Sequence, residues 1–373
     1  QMEAFAGQLA YTDYEFGRIL DYLERIGELD NTLVLFTSDN GASGEGGLHG
    51  TFNENGFFNG VSNMPNEFNN QYINEWGNRV GVWHVTAGWT MAGNTPFKYY
   101  KQSAHRGGNA DPLVISWPAG IPEQFHGQIR SQYSHIIDIA PTILEATGVE
   151  APKVIDGHEQ MPFDGIALNY TFENPDAPSK RTVQYYELFG NRAIYADGWT
   201  AVTLHRNKRP WVLTAEGTLD DDVWELYNLA EDFSQSTDVA AQYPEKLEEL
   251  KALFDREAQA NNVYPLDGDL GPRFAAMQSI AAPQDKELVF DPPAAIRVHE
   301  SASPPLKNKS HEFIAEMSVA RGGGDGMLVT AGGRTSGYAL FVKNGRLMYV
   351  YNFLGMERTM LTSDRTIPAG DSV

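Results

Sequence analysis

The sequence predicts an α/β fold followed by an incomplete antiparallel β-sandwich. Between residue 1 and about residue 150 the pattern is helix, apolar strand, long loop, second strand and helix, which is typical of α/β domains. The continuous apolar run at 33–36 predicts a strand buried on both faces of a parallel sheet. From His311 onward, alternating strand patterns between glycine-rich turns predict antiparallel pairing.

The amino-terminal helix is predicted from apolar residues at helical spacing before Gly27, namely Phe16, Ile19, Leu20 and Leu23. No capping residue precedes this helix, so we expect the chain to have been cut from a longer protein. Residues 112–118 predict a second short buried strand. Residues 136–144 predict a helix that is closed by Gly148.

A long loop between Gly41 and Pro96 separates the two predicted strands. It has almost no periodicity, so no helix or strand is predicted within it. Its amide and aromatic residues include Asn53, Asn55, Phe57, Phe58, Asn59, Trp76, Trp83 and Trp89. Because structureless insertions of this length are uncommon in compact domains, we expect the loop to be functional.

A small subdomain with its own sheet is predicted for residues 181–262. Segments rich in β-branched and aromatic residues predict its strands at 182–186, 192–195 and 199–203. A helix is predicted at Pro244, because proline is tolerated in a first turn and acidic residues lie near the amino end. The apolar stripe of this helix consists of Leu247, Leu250 and Phe254.

The rest of the chain divides into a linker and a sandwich module. Residues 263–310 are rich in Pro, Asp and Ala without periodicity, which predicts a linker or wrapping segment. Residues 311–373 predict five or six strands, fewer than the seven of a closed sandwich, with Asn344 and Gly345 as a hairpin turn. We therefore expect this module to be incomplete at its carboxyl end.

The composition excludes several functional classes. The chain has 49 acidic and 28 basic side chains and a formal net charge of -21, which argues against nonspecific binding to nucleic acid or anionic membranes. No apolar run approaches the roughly 18 residues of a membrane-spanning helix. Cysteine is absent, so disulfides and thiolate zinc sites cannot form within these residues. We expect no nucleic-acid partner and no membrane span; the oligomeric state stays open.

Asp39 and Asn40 end the first predicted strand and form the first candidate site. Ligands of open α/β sheets bind at the carboxyl ends of strands, so chemistry is expected at this position. A charged and a neutral oxygen ligand side by side suit a hard cation such as Ca²⁺ or Mg²⁺. The sequence Asp39-Asn40-Gly41 is also common in turns, so a purely structural turn is the alternative.

A cationic segment at 94–108 forms the second candidate site. It contains four groups that carry or share positive charge, Lys98, Lys101, His105 and Arg106. Together with the following glycine pair, which lets backbone approach closely, they would suit an oxyanion such as sulfate or phosphate. The alternative is simple solvent exposure, which we expect for Lys98 and Arg106 because exposed basic residues are common.

Several motifs occur together in one order along the chain. They are the helix at 14–23, the segments 29–41 and 94–108, Asp138-Ile-Ala-Pro-Thr142, Asp156-Gly157 with Asp164-Gly165, and Trp224-Glu-Leu-Tyr-Asn228. In order and spacing they resemble the sulfatases of the alkaline-phosphatase-like superfamily. The resemblance covers residues 1 to about 260, and the stretch 53–60 with the appended sandwich resembles the larger bacterial arylsulfatases.

The resemblance implies a fold for each region. Residues 1–180 would be the carboxyl-side part of the sulfatase catalytic domain, with a central mixed sheet and flanking helices. Residues 181–262 would be the family's small carboxyl-terminal subdomain. The linker at 263–310 and the sandwich at 311–373 would follow.

The resemblance also implies a sulfuric ester hydrolase with one calcium ion, magnesium being the lesser alternative. Asp39 and Asn40 match the family's carboxylate and amide metal ligands. Lys101 matches the lysine that contacts the sulfate group and steadies charge as the ester breaks. His105 is similar in position to a polar residue near the site in some members, so the resemblance implies that His105, like Lys101, is a catalytic residue. The implied substrate is a sulfate-ester small molecule or a sulfated glycan, and the implied location is periplasmic or extracellular.

One family element has no counterpart in this sequence. Sulfatases use a formylglycine made from the first residue of a Cys/Ser-x-Pro-x-Arg motif, and no such motif occurs here. The resemblance places that nucleophile, and the remaining metal ligands, upstream of Gln1. We therefore expect this chain to be inactive on its own, because two metal ligands without a nucleophile cannot run a covalent displacement.

The sequence is also compatible with two other functions. A phosphonate monoester or phosphodiester hydrolase of the same superfamily would use the same scaffold and a similar metal position. A noncatalytic carbohydrate-binding protein would use the aromatic loop and the strand tyrosines Tyr338, Tyr349 and Tyr351. Tyrosines at alternating strand positions are more often sheet-face residues than sugar ligands.

Overall fold

The computed structural model has a mixed α/β fold, which confirms the predicted α/β class. The chain divides into two compact units. The first unit comprises residues 1–45 and 85–268, and the second comprises residues 46–84 and 269–373. The domain boundaries predicted at 180 and 262 both lie inside the first unit and stay predictions. The structure describes residues 1–58, 66–78, 81–205, 217–268, 289–290, 298, 303–304, 306, 309–321, 323–333 and 336–372.

The α-helices of the described residues range in length from 4 to 24 residues. In chain order they are α1 (Met2–Arg25), α2 (Asn55–Phe58), α3 (Asn66–Gln71), α4 (Ala87–Gly93), α5 (Arg106–Asn109), α6 (Ile139–Thr147) and α7 (Pro244–Ala260). Among these described helices, none combines the length and the apolar character that crossing a membrane would need.

The strands of the described residues pair in antiparallel sheets. They are β1 (Val34–Thr37), β2 (Leu113–Ser116), β3 (Val154–Ile155), β4 (His158–Glu159), β5 (Val183–Leu188), β6 (Asn191–Ala196), β7 (Trp199–Thr203), β8 (Trp224–Asn228), β9 (Met317–Val319), β10 (Gly326–Gly332), β11 (Gly337–Lys343), β12 (Arg346–Phe353), β13 (Glu357–Thr366) and β14 (Gly370–Ser372). The sheets have the strand orders β1-β2, β3-β4, β5-β6-β7-β8, β10-β11-β12-β13 and β14-β9.

The first helix, α1, confirms the predicted amino-terminal helix. It ends at Arg25, and Gly27 follows in the left-handed region with φ of 77°. The Gly27 N–H donates to the Glu24 carbonyl, a closure that favours glycine. The ring of Phe16 lies 5.2 Å from that of Phe36, so the apolar stripe of α1 contacts β1.

The prediction that the first strand is buried on both faces of a parallel sheet is wrong. β1 pairs antiparallel with β2, and Thr37 lies opposite Leu113. Phe36 is 49% exposed and Val114 is 58% exposed. The segment 38–112 reverses the direction of the chain after β1, so β1 and β2 run in opposite directions. The resulting two-stranded ribbon leaves part of its apolar surface uncovered by the described residues.

The long loop is not structureless, in contrast to the prediction. Its described residues include the short helices α2, α3 and α4. Asn69 Oδ1 accepts a hydrogen bond from Phe52 N at 3.0 Å, and Thr86 Oγ1 caps α4 by accepting from Trp89 N at 3.2 Å. These elements are fixed by polar side chains bonding to backbone rather than by an apolar stripe, so periodicity could not indicate them.

Aromatic residues of the loop form a small core in the second unit. Phe52 is fully buried and stacks on Tyr72 with ring centroids 4.5 Å apart. The ring of Trp76 lies 6.1 Å from that of Phe52, and the ring of Trp83 lies 6.1 Å from that of Trp76. These four aromatic residues therefore pack on one another. Asn59 and the side chains of Phe57 and Phe58 lie outside what the structure describes.

The sheet β5–β8 and helix α7 form the main core of the first unit. The three strands and the helix predicted between 181 and 262 are confirmed, and β8 joins them as a fourth strand. Leu250 and Phe254 of the predicted stripe are buried with Ile194 and Leu226 of the sheet. Burial of this apolar surface fixes the position of β8, which carries polar side chains toward the candidate site.

The second unit carries the predicted antiparallel strands. Asn344 and Gly345 have φ of 53° and 69° and join β11 to β12, so the predicted hairpin turn is confirmed. The four-stranded sheet and the ribbon β14-β9 provide six strands among the described residues. Closure of these strands into a sandwich stays a prediction. The linker predicted at 263–310 lies largely outside the described residues.

The strand tyrosines of this sheet contact other aromatic residues. The rings of Tyr338 and Tyr349 lie 5.4 and 6.1 Å from that of Phe313. His311 Nε2 lies 3.2 Å from the Tyr349 hydroxyl. These contacts fit sheet-face packing, and carbohydrate binding by this module stays a prediction.

Candidate functional site

Asp39 and Asn40 lie where β1 ends in a turn. Asp39 is exposed and Asn40 is half-buried. Asn40 Nδ2 donates to the Gly41 carbonyl at 3.0 Å, which fixes the orientation of the amide. Neither the Asp39 carboxylate nor Asn40 Oδ1 accepts a hydrogen bond from the residues that the structure describes. The side-chain oxygens of two adjacent residues are therefore available to coordinate a ligand.

Gly41 brings this strand end against the glycine pair of the second segment. A Cβ on Gly41 would lie 1.8 Å from the Gly107 carbonyl oxygen, and the Gly41 N–H donates to the Gly108 carbonyl at 3.1 Å. A Cβ on Gly107 or Gly108 would lie 2.2 Å from Lys98 O or 2.0 Å from Ser103 O, respectively. Only glycine fits at these three positions.

Asn94 joins the two segments through its side chain. Its Nδ2 donates to the Gly107 carbonyl at 2.6 Å, and its Oδ1 accepts from Ala42 N at 3.4 Å. The backbone N–H of Lys101 donates to the Ala42 carbonyl at 3.0 Å. Because Ala42 is the second residue after Asn40, these bonds place Lys101 beside the strand end.

The side chain of Lys101 forms an ion pair with Glu45. Lys101 Nζ lies 2.9 Å from Glu45 Oε2, and the same carboxylate accepts from Gln102 Nε2 at 2.7 Å and Ser43 Oγ at 3.0 Å. The two charged side chains are 33% and 30% exposed. Burial acts to raise the pKa of Glu45, but the bonds from Lys101 and Gln102 outweigh it and lower that pKa. Glu45 is therefore ionised at neutral pH.

The backbone around Lys101 has an unusual conformation. Tyr99 and Gln102 have φ of 64° and 76°, in the left-handed region that non-glycine residues rarely occupy. The Gln102 carbonyl accepts from Asn191 Nδ2 at 2.5 Å, which holds this turn against β6. Conformations of this kind persist where surrounding contacts hold them, and they concentrate at functional sites.

Asp111 lies at the same end of the β1–β2 ribbon as Asp39. Thr37 is opposite Leu113, so both carboxylates belong to residues just beyond the last strand pair. Burial, and second the negative charge of Asp39, raise the pKa of Asp111 to about 6. The proximity of these two acids follows from the strand pairing, which the sequence did not indicate.

His105 is fully buried against β8. Its Nε2 lies 2.9 Å from Glu225 Oε2, and its Nδ1 lies 3.1 Å from Ser103 Oγ. A carboxylate only accepts, so we assign the proton to Nε2, with Ser103 donating to Nδ1. Burial is the main reason that the pKa of His105 is lowered. Both ring nitrogens are engaged by the protein, which favours a positioning role; the predicted catalytic role stays a prediction.

Lys98 and Arg106 do not simply extend into solvent, so that expectation is wrong. Lys98 Nζ donates to Glu225 Oε2 at 2.9 Å and also bonds to the Tyr227 hydroxyl. The Arg106 guanidinium lies 4.2 Å from the centre of the Phe233 ring. These partners are more than a hundred residues away in the chain, so composition and local pattern could not indicate them.

The strand end at Asp39 and the segment 94–108 lie in the part of the chain that matches a known protein family. Residues 1–149 match the sulfatase family model. Residues 1–149 belong to the sulfatase family. The predicted resemblance is thereby confirmed for the part of the chain that carries Asp39, Asn40 and Lys101.

Proteins similar to this sulfatase segment are themselves sulfatases. An uncharacterised sulfatase of Schizosaccharomyces pombe is 29% identical over 257 residues, covering 67% of this chain and 42% of that protein. An arylsulfatase of Klebsiella aerogenes is 27% identical over 169 residues, covering 45% and 34%. An N-acetylglucosamine-6-O-sulfatase of Bacteroides thetaiotaomicron is 25% identical over 257 residues, covering 68% and 35%. The chain thus spans about a third to two-fifths of the length of these sulfatases.

Likeness to solved structures is weaker. A complex of Ps i-CgsB with k-i-k-neocarrahexaose is 20% identical and has a TM-score of 0.45, covering 73% of this chain and 47% of that chain. A TM-score of this size does not establish a shared fold. The α/β description of the sulfatase segment rests on its own helices and strands.

Within the sulfatase segment, Lys101 lies beside the strand end that carries Asp39 and Asn40, whereas His105 faces Glu225. No group of three or more His, Cys, Asp or Glu side chains that could hold a metal occurs in the described part of the chain. Glu45 and Glu225 are functional candidates that no sequence pattern marked for chemistry. Glu225 lies in the family-like segment 224–228, which was the available signal.

Proposed function

We propose that the full-length protein is a sulfuric ester hydrolase acting on a sulfate monoester, and that this chain contributes one side of its site. The observation that carries the proposal is the 3.0 Å bond from Lys101 N to Ala42 O, which holds a cationic residue beside Asp39 and Asn40. A cation next to oxygen ligands for a dication suits an anionic ester. The sulfatase match over 1–149 supports this assignment.

Asp39 and Asn40 fit a calcium ion by the chemistry of their donor atoms. The Asp39 carboxylate and Asn40 Oδ1 are adjacent oxygens without a hydrogen-bond donor among the described residues. Hard cations prefer such ligands, and calcium accepts neutral oxygens in flexible geometry more readily than magnesium does. When bound, the ion would supply Lewis-acid polarisation of a sulfate oxygen.

Lys101 binds the sulfate group in this proposal. Its ammonium has three donors, and its side chain is one-third exposed, so a substrate can reach it from solvent. As the S–O bond breaks, its electron pair moves to the departing ester oxygen, where negative charge grows. A fixed cation stabilises that charge more strongly than it stabilises the ground state, and this difference is what lowers the barrier.

The attacking group is proposed to come from outside this chain. The sequence has no Cys and no Ser followed by Pro and Arg at the formylglycine spacing. The residues of this chain therefore bind and orient the sulfate rather than attack it. His105, with both ring nitrogens engaged, is assigned to positioning of the 98–108 segment rather than to proton transfer with substrate.

Sulfated sugars and aryl sulfates are the proposed substrate classes. Relatives include an N-acetylglucosamine-6-O-sulfatase and an arylsulfatase, which supports both classes equally. A phosphonate monoester or phosphodiester is the alternative, because Lys101 and a dication would bind that anion by the same contacts. The two reactions differ in the central atom, which is sulfur or phosphorus, and a comparison of turnover on the two substrate types separates them.

Turnover of an aryl sulfate and of an aryl phosphodiester by the full-length protein tests this proposal. We expect the sulfate to be preferred, and Lys101→Ala to lower kcat/KM for it by roughly 10²–10³-fold. Lys246→Ala, on α7, is the matched control and should leave turnover unchanged. Preferred hydrolysis of the phosphodiester would favour the alternative. Unchanged sulfate turnover in Lys101→Ala would contradict the assignment of Lys101.

A further inference from the structure

Glu45 accepts hydrogen bonds from three side chains, one that follows β1 and two in the segment 94–108. Lys101 Nζ, Gln102 Nε2 and Ser43 Oγ donate to its carboxylate at 2.9, 2.7 and 3.0 Å. The Glu45 N–H also donates to Ser43 Oγ at 3.4 Å, which ties the side-chain network to the backbone. A carboxylate held by several donors has one preferred orientation, and it orients the ammonium that binds it.

Gln102 shows that this arrangement is built into the local fold. Its Nε2 donates to Glu45 Oε1, while its Oε1 is buried without a partner among the described residues. Its backbone has φ of 76°. An unsatisfied buried acceptor and a left-handed backbone each cost free energy. Gln102 therefore has two unfavourable features in the conformation in which its side chain donates to Glu45.

The backbone contacts alone leave the Lys101 ammonium free to move. The bond from Lys101 N to Ala42 O fixes the main chain, but a lysine side chain has four rotatable bonds between Cα and Nζ. Glu45 binds at the far end of those bonds. It is the contact, among the described residues, that determines where the positive charge of Lys101 lies.

We propose that Glu45 is the positioning residue for Lys101. It holds the Lys101 ammonium beside the strand end and leaves two of the three N–H donors for a sulfate group. The inference rests on the proposed function, because it assigns Glu45 a role through Lys101. Glu45 touches the lysine and does not itself react.

A double-mutant cycle in the full-length protein tests this role. We expect Glu45→Gln to lower kcat for an aryl sulfate by about tenfold with a smaller change in KM, because transition-state contacts are lost. Glu45→Asp keeps the charge and should recover part of the loss. In a Lys101→Ala background, Glu45→Gln should have no further effect, since no ammonium remains to be positioned. Glu249→Gln, whose partner Lys246 is on the surface of α7, is the control.

The outcomes separate this inference from the proposed function. If Glu45→Gln lowers kcat equally with and without Lys101, Glu45 acts on folding or on another group, and the inference is overturned. If Lys101→Ala lowers turnover but Glu45→Gln does not, the proposed function stands and the inference fails. If Lys101→Ala itself has no effect, the proposed role of Lys101 fails. Where Lys101→Ala is too slow to compare, inhibition by inorganic sulfate should weaken more in Glu45→Gln than in Glu45→Asp; equal inhibition overturns the inference.

Discussion

His105 donates from Nε2 to Glu225 Oε2 over 2.9 Å, and the two residues are 120 positions apart in the chain. The same carboxylate oxygen accepts from Lys98 Nζ at 2.9 Å and from the Tyr227 hydroxyl. One glutamate on β8 therefore anchors the segment that carries Lys101 to the four-stranded sheet. Because His105 is fully buried, removal of this acceptor would leave a buried donor without its partner.

We expect Glu225→Gln to lower the free energy of unfolding by about 2 kcal/mol, because it removes the charge that pairs with Lys98 and leaves a single neutral oxygen to accept from His105 and its neighbours. The unfolding midpoint in urea of the full-length protein measures this change. Glu248→Gln is the control, since its partner Lys251 is exposed on α7 and such pairs contribute little. A loss no larger than that of the control would show that the Glu225 network does not stabilise the fold.

Acid should remove the same contribution. Burial acts to raise the pKa of Glu225, but the bonds from His105, Tyr227 and Lys98 lower it to about 2. The folded pKa is below the unfolded value of about 4.3, so the stabilisation is present above about pH 4.3 and is lost as the pH falls toward about 2. Unfolding free energy measured across this range should fall less steeply in Glu225→Gln than in wild type. Parallel profiles would refute the assignment.

Gly41→Ala should be strongly destabilising. The new Cβ would overlap the Gly107 carbonyl at 1.8 Å, and backbone cannot move away as a flexible side chain can. We expect a loss of about 3 kcal/mol or more, with a matching fall in sulfate-ester turnover. Gly17→Ala is the control, because its added Cβ meets no atom within 4 Å in α1 and should stabilise the helix by up to about 1 kcal/mol. A Gly41→Ala protein that melts like wild type would contradict the close approach.

Asp39→Asn should lower the pKa of Asp111. The negative charge of Asp39 is the second cause of the raised value of about 6, and the substitution removes that charge. Burial, the larger cause, remains, so the pKa should fall but stay above the ordinary range for aspartate. Carboxyl NMR titration of calcium-free protein measures both values, with Asp364→Asn on β13 as a distant control. An unchanged Asp111 titration in Asp39→Asn would show that the two acids do not interact.

The fold could be predicted where local pattern decides it. Helices α1 and α7, strands β5–β7 and the turn at Asn344 follow from periodicity and turn chemistry. The direction of β2 against β1 could not be predicted, because an apolar run has the same pattern in parallel and antiparallel pairs. The helices between 42 and 95 escaped prediction because amide and hydroxyl side chains, rather than apolar stripes, mark them.

The candidate site could be predicted only in the residues that carry motifs. Asp39, Asn40 and Lys101 stand in segments with recognisable order and spacing, and the structure places those segments together. Their partners could not be predicted in the same way. Glu45 is 56 residues from Lys101, and Glu225 is 120 residues from His105, so these pairings exist only after the chain has folded.

The central claim is that Asp39 and Asn40 hold a metal ion beside Lys101, and calcium dependence of turnover tests it most directly. The full-length protein is stripped with a chelator, and aryl sulfate hydrolysis is measured as calcium is added back. We expect wild type to lose and regain activity, and Asp39→Ala to need at least about tenfold more calcium for half of its maximum. Asp364→Ala, exposed on β13, should respond like wild type. Full activity without calcium, or the same calcium requirement in Asp39→Ala and wild type, would contradict the account.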